Sequence, residues 1–184
     1  MLFEIISLVI GIIKIVIYKV FFPFRIYFWG IPKLNSNFKL AIKRNSKLLF
    51  GKNFRSRNNV SFRIYDGGSV KIGNNCFMND NCSVNCQKSI TIGNNVIFGQ
   101  NVMLFDHDHD YKNNIKNFIS SEITIGDNVW VGANSIILRG VEIGNDVVIG
   151  AGTIVKCDIP SGSLVYDKSD ITINRINRKK SLFF

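Results

Sequence analysis

A six-residue repeat runs through the middle of this 184-residue chain and constrains its fold more than any other feature. An aliphatic or aromatic residue stands first in each hexad and is often followed by Gly, as in Ile72-Gly73 and Ile125-Gly126. The fifth position is small or β-branched. The fourth is mostly Asn, which tolerates positive φ better than other non-glycine residues. Each hexad therefore predicts one short strand and a tight corner, and three hexads predict one triangular coil.

Stacked coils would bury the first and fifth positions in one continuous core. This spacing resembles the left-handed parallel β-helix of the hexapeptide-repeat acyltransferases, and the resemblance covers about residues 48–166. The expected fold class is therefore all-β, and its connections would be an exception to the right-handed crossover rule. A globular antiparallel sandwich would instead show two-residue alternation with hairpin turns at irregular spacing.

The charge of the chain is divided unevenly along the sequence. A formal net charge of +10 and a pI near 9.6 suggest nucleic-acid binding. However, residues 1–71 hold 13 Lys and Arg against two acids, whereas residues 72–174 hold six against 11 acids. Because a nucleic-acid-binding protein usually places its basic stripe on the folded binding surface, we expect no nucleic-acid partner.

The first 32 residues predict an amphipathic helix that lies in a membrane interface. At 100° per residue, the polar side chains before Pro23 fall within one narrow arc, and Ile, Val and Phe fill most of the remainder. Pro23 would end the helix near Phe22. Two alternatives stay open: a helix packed on its own domain or on a partner subunit, and a tilted membrane span with Lys14 and Lys19 snorkelling.

The sequence thus divides into four segments. Residues 1–32 are expected to form the helix, 33–47 a basic linker, 48–166 the β-helix domain, and 167–184 a basic tail. The four cysteines form no C-x-x-C pair, which fits neither a disulfide scaffold nor a zinc finger. Cys76 and Cys82 are expected at inward positions, and Cys86 and Cys157 at or near corners.

One long interruption, the loop 105–122, breaks the repeat and carries both histidines of the protein. Long excursions in compact domains are usually functional. A metal site is disfavoured, because the consecutive residues of Asp106-His107-Asp108-His109-Asp110 cannot all converge on one ion. An inert solvated loop is a second possibility. In a catalytic loop, a neutral imidazole would act as base and a carboxylate would orient it.

The stretch 70–160 is similar to the galactoside, maltose and related sugar O-acetyltransferases of this family. The matching segments are VKIGNNCFMNDNCSV, the histidine loop, ITIGDNVWVGANSIIL, GVEIGNDVVIGAGTIV and DIP. The resemblance implies that His107 is the general base. It further implies that Asn79, Asp106 and His109 contact the acceptor, and it places Gln87 where the family has an acid.

On the donor side, the resemblance implies acetyl-CoA as acyl donor, with no metal. It places Ala133 and Ala151 along the pantetheine channel and Trp130 near the site. Lys156 stands one residue before the position of the family's lysine that contacts phosphate. Family members are trimers with sites between subunits, so His107 and the channel are expected from different chains.

The sequence therefore predicts acetyl transfer from acetyl-CoA to a hydroxyl of a glycan or a lipid-linked glycan precursor, without a covalent enzyme intermediate. The basic ends favour a cytoplasmic protein held on the anionic inner face of a bacterial membrane. An N-acetyltransferase acting on an amino sugar or a small amine is an alternative. A non-enzymatic β-helix scaffold or glycan-binding module is another.

Overall fold

The computed structural model describes residues 2–168, in which one helix precedes a series of short strands. The helix α1 spans Leu2–Phe21. The strands, in chain order, are β1 (Ile26–Phe28), β2 (Lys39–Ile42), β3 (Lys47–Phe50), β4 (Arg55–Ser56), β5 (Ser61–Ile64), β6 (Ser69–Ile72), β7 (Phe77–Met78), β8 (Ser83–Cys86), β9 (Ser89–Ile92), β10 (Ile97–Phe98), β11 (Met103–Phe105), β12 (His107–Asp110), β13 (Asn114–Ser120), β14 (Ile123–Ile125), β15 (Trp130–Val131), β16 (Ile136–Ile137), β17 (Glu142–Ile143), β18 (Val148–Ile149), β19 (Ile154–Val155) and β20 (Leu164–Val165).

These strands build three six-stranded sheets whose neighbours pair in parallel. The first sheet has the order β1-β3-β6-β9-β14-β17, the second β4-β7-β10-β15-β18-β20, and the third β2-β5-β8-β11-β16-β19. Because successive strands pass from one sheet to the next, the chain coils around a central core. The predicted all-β, parallel β-helix of hexapeptide repeats is thereby confirmed.

The interior of the coils is filled by the first and fifth residues of the hexads, as predicted. First-position residues such as Ile72, Phe98 and Val131 are fully buried, and so are fifth-position residues such as Cys76 and Val129. Burial of one such large apolar side chain contributes roughly 1.5–3 kcal/mol. Stacking the coils therefore supplies the stability that a single coil, with no neighbour to cover it, would lack.

The corners confirm the role expected of asparagine. All eight Asn residues that stand fourth in their hexads have φ between 55° and 62°, and Asn45 and Asp146 adopt the same conformation. Their side chains also form ladders, since Asn53 donates to Asn75 at 3.0 Å and Asn75 donates to Asn95 at 3.1 Å. Asn thus supplies both the left-handed backbone and a hydrogen bond between neighbouring coils.

The β-helix begins earlier in the chain than residue 48, the start that the sequence predicted. β1 pairs with β3 in the first sheet, and β2 pairs with β5 in the third. The residues assigned to the end of the helix and to a linker therefore contribute strands. The outward lysines of this region obscured the alternation that places Leu40 and Ile42 on the inner side of β2.

Helix α1 ends at Phe21, two residues before Pro23, and it packs on the β-helix through its polar arc. Ser7 donates to the Ser36 hydroxyl at 2.8 Å, and the Lys14 ammonium donates to the Phe38 carbonyl at 2.9 Å. The opposite face of the helix exposes Ile, Val and Phe side chains to solvent: Ile5, Ile6, Val9, Ile10, Ile13, Val16, Ile17, Val20 and Phe21. Within residues 2–168, no helix is long and apolar enough to cross a membrane.

The excursion between β11 and β14 is an antiparallel hairpin of β12 and β13, whereas the sequence predicted a loop over 105–122. His107 pairs with Ser120, and His109 pairs with Phe118. The hairpin is closed at its base by the Ser121 amide, which donates to the Asp106 carbonyl at 2.8 Å. Most of the predicted tail, 169–184, lies outside the described residues.

Candidate active site

His107 opens the hairpin immediately after Asp106, and its side chain is only 9% exposed. Its ring is held edge-on between Tyr65 and Phe118, at centroid distances of 5.2 and 4.9 Å. The imidazole lines a cleft of about 310 Å³ on the third sheet. The other lining residues are Arg63, Tyr65, Asn85, Phe105, Asp108, His109, Phe118 and Leu138.

Asp106 fixes the orientation of this imidazole. Its side chain is fully buried, and one oxygen lies 2.9 Å from His107 Nδ1. The carboxylate also accepts hydrogen bonds from the amides of Gln87 and Lys88, both at 2.7 Å, and of Ser89 at 2.9 Å. Because the carboxylate acts as an acceptor toward every partner, it places the hydrogen on Nδ1 and leaves Nε2 unprotonated in the neutral ring.

The burial of Asp106 corrects its predicted contact with the acceptor, because no part of the side chain is accessible to a substrate. Its four hydrogen bonds instead give it the orienting role that the sequence analysis assigned to a carboxylate beside the histidine.

His109 faces the same cleft from a more exposed position. Its Nδ1 lies 2.7 Å from the Ile115 carbonyl, and its ring packs on Phe118 at 4.7 Å. Between the two histidines, Asp108 accepts from Arg139 Nε at 2.7 Å, which ties the hairpin to the next coil. The hairpin turn is held by Asp110, whose pKa is lowered by hydrogen bonds from the Asn113 amide.

The residues predicted to hold the donor form a separate groove of about 450 Å³ on the second sheet. Ala133 and Ala151 lie along it, and Trp130, whose side chain is 56% exposed, forms part of its wall. Asn79 also lines this groove and not the cleft of His107. Small side chains and Gly99 keep the groove open enough for a narrow chain to approach the backbone.

Lys156 lies apart from that groove, on the third sheet. It follows β19, which pairs with β16, and the backbone register places it one coil beyond Leu138. Leu138 lines the cleft of His107, so Lys156 belongs to the same edge of the β-helix as the histidine. The predicted site residues therefore form two groups on two sheets, one around His107 and one around Trp130.

Sequence reasoning missed Arg63, Tyr65 and Phe118, which line the cleft, and Arg139, which binds Asp108 of the hairpin. They come from strands other than that of His107, and none stands in a recognisable motif. The register of the coils is the signal that could have found Arg63, which lies beside Asn85 in the adjacent strand.

The cysteines do not contribute to either group. Cys76 and Cys82 are buried as predicted, and burial raises the pKa of each thiol to about 11. Cys86 ends β8 next to the bend at Gln87 and Lys88, near a corner as expected. It is also buried, and burial raises its pKa further, whereas Cys157 is exposed. Among the residues described, no group of three or more His, Cys, Asp or Glu side chains could hold a metal ion.

A comparison with protein family models supports the hexapeptide repeats that form the coils. Residues 122–157 match the family model described as bacterial transferase hexapeptide (six repeats). The β-helix therefore consists of the hexapeptide repeats that this transferase model describes, and the chain is an acyltransferase. This acyltransferase is 27% identical over 158 residues to the putative lipopolysaccharide biosynthesis O-acetyl transferase WbbJ of Escherichia coli K12, covering 79% of this chain and 81% of WbbJ.

A second relative of the acyltransferase is the galactoside O-acetyltransferase of E. coli K12. The two are 46% identical over 66 residues, which are 35% of this chain and 32% of that enzyme. Among solved structures, a point mutant of AntD, a Bacillus cereus N-acyltransferase in complex with dTDP-4-amino-4,6-dideoxyglucose and coenzyme A, superposes with a TM-score of 0.71. The match covers 90% of each chain at 17% identity, and it shows the shared fold alone.

Proposed function

We propose that this acyltransferase transfers an acetyl group from acetyl-CoA to a hydroxyl of a glycan or a lipid-linked glycan precursor. The observation that carries the proposal is the pair of Asp106 and His107, in which a buried carboxylate orients an imidazole at the wall of a cleft. The O-acetyltransferase relatives support a hydroxyl as the acceptor in preference to an amine.

The reaction follows from the tautomer that Asp106 imposes. His107 Nε2 removes the proton from the acceptor hydroxyl as its oxygen attacks the thioester carbonyl. The tetrahedral intermediate then collapses, the carbon–sulfur bond breaks, and the imidazolium gives its proton to the departing thiolate. The products are an acetyl ester and CoA, and the protein forms no covalent intermediate. Base catalysis of this kind contributes typically about 10²–10⁴-fold.

Acetyl-CoA would lie in the groove of the second sheet, with its pantetheine arm along the backbone of Ala133 and Ala151. Trp130 would cover the arm from one side. Asn79, at the same groove, would help a backbone N–H to stabilise the oxyanion that develops on the thioester carbonyl.

The two groups of residues lie on different sheets, which supports a homotrimer with its sites between subunits. Both sheets expose apolar side chains near these groups, with Ile97, Trp130 and Leu164 on the second and Ile154 on the third. If the third sheet of one subunit faces the second sheet of the next, His107 of one chain meets the groove of another. Closed rings of this kind use a heterologous interface.

Mixed oligomers test this arrangement. His107→Ala removes the base but leaves the groove, whereas Ala133→Trp blocks the groove but leaves the base. Each variant alone should be inactive with acetyl-CoA and sugar acceptors, while equal co-expression should restore activity at about one quarter of the sites in random trimers. Absence of restored activity in verified mixed trimers would place the whole site within one chain.

The acceptor class is tested with labelled acetyl-CoA and matched sugars that differ only in carrying a hydroxyl or an amine. Wild-type protein should acetylate the hydroxyl acceptor, and His107→Ala should lower kcat by about 10²–10⁴-fold without changing the KM for acetyl-CoA. Selective transfer to the amine would favour the N-acetyltransferase. If CoA produced no rise in Tm, a non-enzymatic scaffold or binding module would be favoured.

The helix supports a further part of the proposal, peripheral contact with an anionic membrane. Its polar arc is used against the β-helix, so its apolar face is left outward, together with Phe24 and Trp29, which are 82% and 72% exposed. Lys52 lies beside Gly30 in the adjacent coil and adds positive charge near Trp29. An apolar helix face flanked by aromatic and basic residues is typical of interfacial binding.

Co-sedimentation with vesicles of phosphatidylglycerol and phosphatidylcholine tests this contact. Ile13→Glu combined with Ile17→Glu should abolish binding without lowering Tm, because both side chains are exposed. Thr124→Glu, on the outward side of the first sheet, is the matched control and should sediment like wild type. Equal binding by the helix variant would contradict the proposal, and loss of oligomerisation instead would assign the helix to a subunit contact.

A further inference from the structure

A second cleft on the third sheet continues directly from the cleft of His107. The two share Arg63 and Asn85, and the second has a volume of about 480 Å³. Its remaining lining residues come from helix α1 and from strands β2 and β5: Lys14, Tyr18, Lys39, Leu40, Ala41, Ser61 and Phe62. One continuous depression therefore runs from the proposed base to the inner side of the helix.

The lining of this second cleft carries positive charge and no acid. Lys14 is anchored by the carbonyls of Ser36 and Phe38, so its ammonium is fixed at the wall. Arg63 and Lys39 are exposed, and neither makes a side-chain hydrogen bond or an ion pair with any of residues 5–168. Two cations with free donors beside a third, fixed one form a site suited to an anion with several oxygens.

The spacing of the strands relates this charge to the reacting hydroxyl. Arg63, Asn85 and Phe105 lie side by side on β5, β8 and β11, and neighbouring strands are about 4.8 Å apart. Arg63 therefore lies about 10 Å from the column of Phe105, which borders the cleft of His107. That separation corresponds to the length of one or two sugar rings. If the reacting hydroxyl of the acceptor lies at His107, the group attached to the anomeric carbon of that sugar, or of the sugar next to it, therefore lies near Arg63.

We propose that the second cleft binds the diphosphate that links the acceptor sugar to its carrier, with Arg63 and Lys39 as the principal donors. This inference rests on the proposed acetyl transfer to a sugar. Both nucleotide sugars and lipid-linked sugars carry this diphosphate, and both chemistries fit the cations. The cleft ends at Lys14 and Tyr18 of the helix, whose opposite face is apolar, so a lipid carrier would leave the cleft toward the proposed membrane surface.

Binding of inorganic pyrophosphate, measured by isothermal titration calorimetry in saturating CoA, tests the diphosphate site without knowledge of the sugar. CoA is included because it occupies the other site that would attract phosphate. Hydrogen bonds from charged groups justify an expected loss of about 10- to 100-fold in affinity for Arg63→Gln, with a similar loss for Lys39→Gln. Lys71→Gln, on the outward side of the first sheet, is the matched control and should change the affinity less than about twofold. No saturable binding by wild type, or equal losses in Arg63→Gln and Lys71→Gln, would overturn the proposal.

Competition against pyrophosphate separates the two carriers. UDP and farnesyl diphosphate represent the nucleotide and lipid arms, and uridine and farnesol are their phosphate-free controls. Stronger competition by either diphosphate than by its control supports the site and identifies the preferred carrier. Equal competition by diphosphate and control would refute a diphosphate subsite. Pyrophosphate binding without acetyl transfer to any sugar would refute the proposed function and leave the anion site intact.

Discussion

Asp106→Asn replaces one carboxylate oxygen of a fully buried side chain with an NH₂ group and should impair both stability and catalysis. The wild-type carboxylate accepts four hydrogen bonds, two at each oxygen: Gln87 N and His107 Nδ1 at one, and Lys88 N and Ser89 N at the other. The amide of Asn provides one acceptor oxygen and one NH₂ group. With the NH₂ group toward Lys88 and Ser89, two backbone donors face a donor. With the NH₂ group toward Gln87 and His107, the Gln87 amide faces a donor, and His107 Nδ1 can accept only if the ring hydrogen moves to Nε2.

The magnitude follows from the number of bonds lost. Each hydrogen bond to a charged group is worth about 1.5–3 kcal/mol, so the loss of one or two predicts a decrease of about 1.5–6 kcal/mol in the free energy of unfolding. In the second orientation Nε2 carries the hydrogen and cannot act as base, and in both orientations the imidazolium loses the negative charge beside it. We therefore expect kcat to fall by about 10²–10⁴-fold, the full contribution of a general base, with the KM for acetyl-CoA unchanged.

The assay combines urea unfolding at fixed protein concentration with steady-state kinetics. His107→Asn is the matched variant, because it removes the base but leaves the three amide bonds to Asp106 in place. It should lose a similar factor in kcat with a much smaller loss of stability. The double variant should be no slower than either single variant, since the two residues act as one unit. A wild-type kcat in a destabilised Asp106→Asn protein would refute the orienting role. Asp106 would then stabilise the fold without acting on His107.

Three further predictions concern the β-helix. At pH 8, one thiol per chain should react rapidly with Ellman's reagent, because Cys157 is exposed whereas burial raises the pKa of Cys76 and Cys82 to about 11. Asn75→Ala should lower the free energy of unfolding by about 1–3 kcal/mol, because Ala would have to adopt a φ of 57° and lose two ladder hydrogen bonds. Gly11→Ala should detach the helix from the β-helix, because the new methyl group would overlap the Leu34 carbonyl; limited proteolysis should then cleave within the helix.

Each of these predictions has a control within the chain. Cys157→Ser should abolish the fast reaction with Ellman's reagent, and a fast reaction that persists would contradict the assigned burial. Asn75→Gly should recover the part of the unfolding free energy that Ala loses by adopting a positive φ. It should not recover the part that comes from the two side-chain hydrogen bonds of Asn75. Ile12→Ala lies next to Gly11 and should leave the helix as protected from protease as in wild type. Early cleavage of the helix in Ile12→Ala would show that cleavage of Gly11→Ala is not specific to the overlap with the Leu34 carbonyl.

The sequence determined the coil because its repeat is local. Each hexad specifies its own strand through one inward aliphatic residue, and its own corner through Asn, whose φ tolerance does not depend on distant neighbours. This explains why the corners from Asn53 to Asn134 could be predicted individually. The start of the β-helix was missed because β1 and β2 acquire their identity from pairing with β3 and β5, not from a repeat of their own.

The sequence also singled out His107, because an interruption in a regular repeat is visible without coordinates. Only the tertiary structure decided what surrounds it. The buried Asp106, the rings of Tyr65 and Phe118, and the cations of the second cleft come together through coil register and hairpin pairing. The same holds for the helix: its sequence has an amphipathic pattern, but the contacts of Ser7 and Lys14 decide that the polar arc faces inward and the apolar face remains exposed. Local preferences fix strands and corners, whereas a site depends on which strands lie side by side.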